Sequence, residues 1–239
     1  MKHIGIVAVS AEGAALCYRT ICLEGAATLD RHEHPEVSLH GFSLHSYQRL
    51  IDEDRWDAVG EMMLESAARV VKAGAQLVIC PDNTVHQGLD LVRERSPAPW
   101  IHLAEEVSNE ARRRGFKRLA ILGTRFLMEG PVYQSKLAPA CIGYRVPNTE
   151  QRTRINQIIY DELVYARFIP ESRAYFQDVI RELGDNGCDA VALACTEIPL
   201  LISPADSPLP ILDSTRILAR AALRAATAAE NENRNEVRG

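Results

Sequence analysis

The sequence predicts an α/β protein made of two pseudo-symmetric parallel-sheet domains. Three observations predict it. Short apolar runs of strand length alternate with longer amphipathic segments of helical period, which is the pattern of βαβ units and parallel sheets. Two of those runs, in different halves of the chain, stop in the same way at a cluster of small polar and reactive residues. The first is Val78-Ile79-Cys80-Pro81-Asp82-Asn83-Thr84-Val85-His86, the second Ala190-Val191-Ala192-Leu193-Ala194-Cys195-Thr196-Glu197-Ile198-Pro199. Each reads as a buried strand emptying into a loop, which is where open α/β sheets place their ligands. The expectation is that the two loops face each other across a cleft between the domains and share one substrate.

In order along the chain, residues 3–9 read as a buried strand, Ser10-Ala11-Glu12-Gly13 as a loop and 14–27 as a helix. His32 and His34 sit in a polar connection and read as an exposed loop pair rather than as metal ligands. Val37 to Phe42 alternates like a strand. A long amphipathic helix over 56–73 is ended by Gly74. The strand Gln76 to Cys80 opens the first key loop, and Val85 to Arg95 is helical. Ser96-Pro97-Ala98-Pro99 then breaks the chain, and the domain crossover is placed there. The second half repeats the rhythm, with a helix over 102–114 ended by Gly115 and a strand Arg118 to Gly123 running into Thr124-Arg125. Helical segments follow at 130–138, 149–166 and from Pro170 to near Gly187, the proline suiting a first turn. Strands are read at Ile142 to Val146 and at Asp189 to Ala194, a loop at Pro204 to Pro210 and an Ala-rich helix at 213–229. The tail from Glu230 to Gly239 is polar and expected to fray. The domains are therefore 1–98 with 210–239, and 99–209.

Bulk properties exclude several classes. With 239 residues, 46% apolar and 25% charged, the chain has the composition of an ordinary soluble globular protein with a sizeable core. A net charge of −5 gives no electrostatic case for nucleic acid or an anionic membrane. No apolar run approaches membrane-spanning length, and the N-terminus has no signal-peptide layout. The six cysteines form no CxxC pair or Cys/His metal spacing, so they read as reduced thiols of a cytoplasmic protein with no metal. Neither GxGxxG nor GxxxxGK[ST] occurs, which leaves nucleotide binding without a warrant.

These motifs resemble the aspartate/glutamate racemase superfamily, specifically its aspartate racemase-like branch. Asp82-Asn83-Thr84-Val85-His86 is similar to that family's Cys-Asn-Thr-x-His motif, and Leu122-Gly123-Thr124-Arg125-Phe126 to its Leu-Gly-Thr-Arg-[Phe/Tyr] stretch. Cys195-Thr196-Glu197-Ile198-Pro199-Leu200 resembles the second-cysteine motif, Ile159-Tyr160-Asp161-Glu162-Leu163 a family helix, and Ser10 to Arg19 its Ser-x-Glu…Tyr-Arg segment. The resemblance implies a cofactor-independent homodimer acting on a small amino acid or carboxylic acid. Two facing acid/base groups, normally two cysteines, would invert the α-carbon. On the matching positions these are Asp82 and Cys195, with Asn83, Thr84, Thr124 and Thr196 holding the α-carboxylate and Ser10 a further candidate at the mouth of the first strand.

The chain departs from the family pattern in two ways. The first cysteine is Asp82. The distal cations of dicarboxylate-specific members are also missing, since Val164-Tyr165-Ala166 and Gly41-Phe42-Ser43 stand at those places. An Asp/Cys pair with ordinary pKa values rests as carboxylate plus thiol, and the reverse arrangement lies about 6 kcal/mol higher. A racemase uses both arrangements. A site that left the gap open would suit one-way work, as in a single-cysteine decarboxylase, lyase or isomerase. A non-catalytic small-acid binding homologue is the third reading.

Overall fold

The computed structural model describes residues 1–238, with side chains through Ala228. The expected fraying from Glu230 to Gly239 lies outside the described side chains. The chain divides into two compact units. The first comprises Met1–Pro81, Val85–Leu103 and the chain from Thr215 onward; the second comprises Asp82–Thr84 and Ala104–Ser214.

The first unit runs β1 (Ile4–Ala8), α1 (Ala11–Thr28), β2 (Val37–Gly41), α2 (Leu44–Asp52), α3 (Trp56–Lys72), β3 (Leu77–Ile79), α4 (His86–Val92) and β4 (Trp100–Ile101). The second runs α5 (Leu103–Arg113), β5 (Arg118–Leu122), α6 (Arg125–Glu129), α7 (Val132–Leu137), β6 (Gly143–Arg145), α8 (Thr149–Asp161), α9 (Pro170–Asp185), β7 (Ala190–Leu193), α10 (Ile198–Leu201) and β8 (Ile211–Asp213). The last helix, α11 (Ser214–Arg238), starts in the second unit and continues in the first. There Lys2 N–H donates to Ala226 O at 2.9 Å, and Arg220 forms a bidentate pair with Glu24 at 2.7 and 2.8 Å.

The two sheets share one design. Their orders are β2-β1-β3-β4 and β6-β5-β7-β8, and every pairing is parallel. The central strands β1, β3 and β7 are buried along their whole length, as strands covered by helices must be. In the second unit the core joins Leu122, Val191 and Leu193 of the sheet to Ile155, Ile158 and Ile159 of α8 and to Phe176, Val179 and Ile180 of α9. Cys195 belongs to the same apolar cluster.

The shared order has a functional consequence. From β1 the chain crosses to β2 on one side and then to β3 on the other, and β5 does the same with β6 and β7. The crevice outside the carboxyl ends of β1 and β3, or of β5 and β7, is thus a topological switch point, where such sheets bind ligands. Ser10 follows β1, Asp82 follows β3, Thr124 follows β5 and Cys195 follows β7.

Candidate active site

Cys195 is set by the strand before it. β7 pairs with β5 in register through Leu122↔Leu193, and Ala194 N–H extends the ladder by donating to Leu122 O at 2.7 Å. The next residue turns out of the sheet. Its thiol is 7% exposed and donates to Glu197 Oε2 at 3.0 Å; the Thr196 hydroxyl donates to the same oxygen at 2.9 Å. Glu197 is itself 3% exposed, and its Oε1 has no hydrogen-bond partner among the described residues. Burial pushes the Cys195 thiol well up from its ordinary value and the Glu197 charge and side-chain bond push further; a backbone bond at Glu197 pulls the other way, and the Asp82 charge adds the smallest push upward. All four upward causes penalise the thiolate. The group rests as a thiol and holds its proton.

Asp82, Asn83 and Thr84 group with the second unit, and their bonds show why. The Tyr133 hydroxyl donates to Asn83 Oδ1 at 2.8 Å, Asn83 Nδ2 donates to Ser214 Oγ at 3.0 Å, and Ser214 Oγ–H donates to Leu193 O at 2.8 Å. The hydroxyls of Thr84 and Thr124 share a hydrogen bond of 2.8 Å, while Thr124 caps α6 by accepting from Leu127 N–H at 3.2 Å. All five side chains are buried, whereas Asp82 between them is partly open. Tyr133 remains a phenol, because burial pushes its pKa far up. The structure thus brings Asp82, Asn83, Thr84, Thr124, Cys195 and Thr196 into one unit around the carboxyl ends of β5 and β7.

The other singled-out residues serve locally. Ser10, in the first unit, caps α1 by accepting from Gly13 N–H at 3.3 Å. His86 is buried there too; its Nε2 accepts from Leu103 N–H at 3.4 Å, and its ring meets His102 edge-on at 4.5 Å. Arg125 N–H donates to Asn156 Oδ1, and its guanidinium lies over the Phe126 ring at 5.2 Å. His32 accepts from its neighbour Arg31, and His34 bonds the Pro35 carbonyl. Among the described residues no group of three or more His, Cys, Asp or Glu is placed to hold a metal, and no helix is long and apolar enough to cross a membrane.

Three participants were not legible beforehand. Glu197 stands in the second motif without a role legible there, and the structure shows it bonded to the thiol itself. Tyr133 carries no local signal. Ser214 follows β8 with the same apolar-run-to-polar pattern as Asp82 and Cys195, a signal that sequence reading could have used.

Two parallel sheets of one order, with a buried thiol and a carboxylate delivered to the same unit by loops that follow two central strands, define a two-domain α/β scaffold of the racemase type. The chain belongs to the Asp/Glu/hydantoin racemase family, whose model matches residues 6–222. With the family comes the class of activity, a cofactor-independent amino-acid racemase. The broad specificity amino-acid racemase RacX of Bacillus subtilis is 23% identical over 190 residues, covering 79% of this chain and 80% of that protein. A crystal structure from Yersinia pestis, provisionally named an Asp/Glu racemase, is 28% identical with a TM-score of 0.85 and covers 95% of this chain and 99% of that one. An aspartate racemase homologue from Pyrococcus horikoshii shares the fold at 24% identity, TM-score 0.81, covering 95% and 100%.

Proposed function

We propose that the chain inverts the α-carbon of an amino acid by two-base proton transfer, with Asp82 and Cys195 on opposite faces of the substrate. From the resting pair, the Asp82 carboxylate takes the α-proton of one enantiomer. The electron pair left on carbon is delocalised into the substrate carboxylate, and Cys195 delivers its own proton to the other face. The products are the opposite enantiomer, a protonated Asp82 and a Cys195 thiolate. The opposite direction starts from that second state. Hydroxyls of Thr84, Thr124 and Thr196, with backbone N–H groups at Asn83 and its neighbours, hold the α-carboxylate. The Asn83 carboxamide contributes through position, since both of its ends are already bonded.

The observation that carries this reading is the state of Cys195: a buried thiol, held protonated by Glu197, within electrostatic reach of the Asp82 carboxylate in the same unit. A general acid and a general base in unlike environments are the pairing that proton transfer at carbon requires. The chain works in the cytoplasm as a homodimer; its six free cysteines support the first statement and the family resemblance the second.

The same upward push favours a second reading. A thiol that stays protonated and is seldom present as a thiolate base suits a decarboxylase or lyase, in which Cys195 protonates a carbanion once. Proton NMR in deuterium oxide with a panel of L- and D-amino acids separates the two. Racemisation removes the α-proton signal of at least one amino acid, and Cys195→Ala and Asp82→Asn each abolish the loss from at least one enantiomer. Exchange indifferent to both substitutions would end the racemase proposal. Silence across the panel with carbon dioxide release from malonate-like acids would establish the second reading.

A further inference from the structure

We infer that Tyr133 and Ser214 are positioning residues, which clamp the Asn83 carboxamide and so set where Asp82 stands relative to Cys195. The inference rests on the two-base reading of the site. It starts from a chain of buried hydrogen bonds whose direction is determined at every link. A serine hydroxyl has one proton, and that of Ser214 goes to Leu193 O at 2.8 Å. Ser214 Oγ must therefore accept from Asn83, so Nδ2 faces it at 3.0 Å. That choice turns Oδ1 toward Tyr133, whose phenol has only a donor's role to play, at 2.8 Å. No member can reverse without leaving a buried polar atom unpaired, which costs about 1–3 kcal/mol.

The chain ends on the strand that carries the thiol. Leu193 is the last residue of β7 and stands two positions before Cys195; Asn83 stands one position after Asp82. One side chain thus couples the loop bearing the base to the strand bearing the acid. Each end is anchored. Ser214 opens α11, directly after the β8 strand that pairs with β7. Tyr133 is the second residue of α7, which α5 holds through Ser108 Oγ–H donating to Lys136 O at 3.0 Å and a Lys136–Glu105 ion pair at 3.3 Å. The Thr84–Thr124 bond is a second tether one residue further on. Asp82 is the partly open residue in a run otherwise buried, and the clamp on Asn83 fixes the backbone that carries it. A misplacement of about 1 Å in a reacting pair costs on the order of 100-fold in rate.

Enantiomers have equal free energy, so either role lowers kcat/KM equally in both directions, and the two roles separate in the isotope effect. A purely structural role leaves the isotope effects of both enantiomers as they are, whereas a positioning role displaces the base, leaves the thiol where β7 puts it, and makes the proton step at Asp82 more rate-limiting. The test uses Tyr133→Phe, Ser214→Ala and the double variant. Initial rates are measured from each enantiomer of the best substrate, with hydrogen and with deuterium at the α-carbon. Asp82→Asn and Cys195→Ala, run alongside, show which enantiomer each group deprotonates. For both single variants KM stays within about twofold, and kcat falls about tenfold to 100-fold. The substrate isotope effect rises for the enantiomer deprotonated by Asp82 and holds for the other. The double variant is no more than about twofold below the poorer single, since both break one unit.

Lower rates with unchanged isotope effects for both enantiomers would overturn the inference, as would wild-type rates in both variants. Should Ser214→Ala fail to fold, Tyr133→Phe decides alone, because it keeps the ring and its packing. Wild-type exchange that survives loss of Asp82 would sink the two-base reading itself. A required Asp82 with isotope effects that Tyr133→Phe leaves unchanged for both enantiomers would sink only the clamp.

Discussion

Gly123→Ala tests how tightly the fold fixes the thiol. Gly123 lies between the end of β5 and Thr124, at the switch point of the second sheet. A Cβ there would stand 2.7 Å from Ala194 O and 2.6 Å from Leu127 Cδ2. Carbon atoms in contact sit at roughly 3.5–4.0 Å, so one neighbour must retreat by about 0.7 Å or more. Leu127 is buried in packed surroundings and has little room. Ala194 O is backbone, one residue before Cys195, and the same residue is held to β5 by its N–H donating to Leu122 O at 2.7 Å. The methyl group therefore displaces the loop that carries the thiol. Overpacking of this kind costs about 1–3 kcal/mol, a fall of about 3–10 °C in melting temperature for a chain of this size. A displacement of that order at Cys195 lowers kcat about 100-fold. The assay is thermal melting beside α-proton exchange. Gly143→Ala is the control, since the nearest atom to its Cβ would be 3.6 Å away. Wild-type exchange in a Gly123→Ala variant that melts several degrees lower would refute the claim that this contact positions the thiol.

Other outcomes follow from the charges. Glu197→Gln removes a carboxylate from the thiol's hydrogen bond, so the Cys195 pKa moves down and thiolate absorbance develops at lower pH than in the parent; an unchanged or upward move would contradict the assigned cause. The raised Cys195 pKa also links to stability: the folded chain keeps its proton where an unfolded thiol has lost it, so stabilisation complete below the ordinary value of 9.0 is lost as pH rises above it. Melting temperature should then fall less steeply through the alkaline range in Cys195→Ala, and parallel slopes would count against it. Glu197 and Asp82 act on the thiol, and no lysine or arginine of the described residues figures among the charges acting on it. Aspartate and glutamate should accordingly exchange more slowly than neutral or basic amino acids of similar size, at low ionic strength most of all; the reverse order in a competition assay would remove that argument.

Much of this arrangement was legible because it is local. A buried strand that ends in polar residues is a one-dimensional signal, and both central loops carry it. The fold class followed from the alternation of strand and helix patterns. What stayed hidden was short or non-local. The outer strands β4 and β8 span two and three residues, and each follows a proline, Pro99 or Pro210, which reads as a break rather than as the start of an edge strand. α6 is five residues, too short to carry a periodic signal of its own. The helix read over 149–166 ends at Asp161 and yields to a 3-10 turn at Leu163–Tyr165, with Ala166 left-handed. Asn83 and Ser214 lie 131 positions apart, and Asn83 and Tyr133 lie 50 apart, so no pattern within either segment announces their bonds. Glu197 is different: it is two residues from Cys195, and only the turn geometry decides that its carboxylate folds back on the thiol instead of capping the helix ahead.

The unlike pair has a consequence that separates a racemase from a one-way enzyme. With ordinary pKa values the state of protonated Asp82 and Cys195 thiolate lies about 6 kcal/mol above the resting state. Burial and Glu197 raise the cost of the thiolate, so the protein widens this gap at Cys195 instead of narrowing it. An enantiomer that needs the upper state meets a scarcely populated form, and its apparent affinity falls by that fraction. The upper state is also the more reactive, and the two factors must cancel. Enantiomers have equal free energy in water, so kcat/KM for the two directions is equal at every pH, whatever the site does. The asymmetry of Asp82 and Cys195 is left one place to appear, in kcat and KM separately, each differing between directions by the same factor. Measuring both constants from both enantiomers across pH therefore tests the assignment without a variant. Equal kcat/KM with unequal kcat is the expected result. Unequal kcat/KM would mean that inversion is not the whole reaction, and that the proton given by Cys195 ends a one-way step.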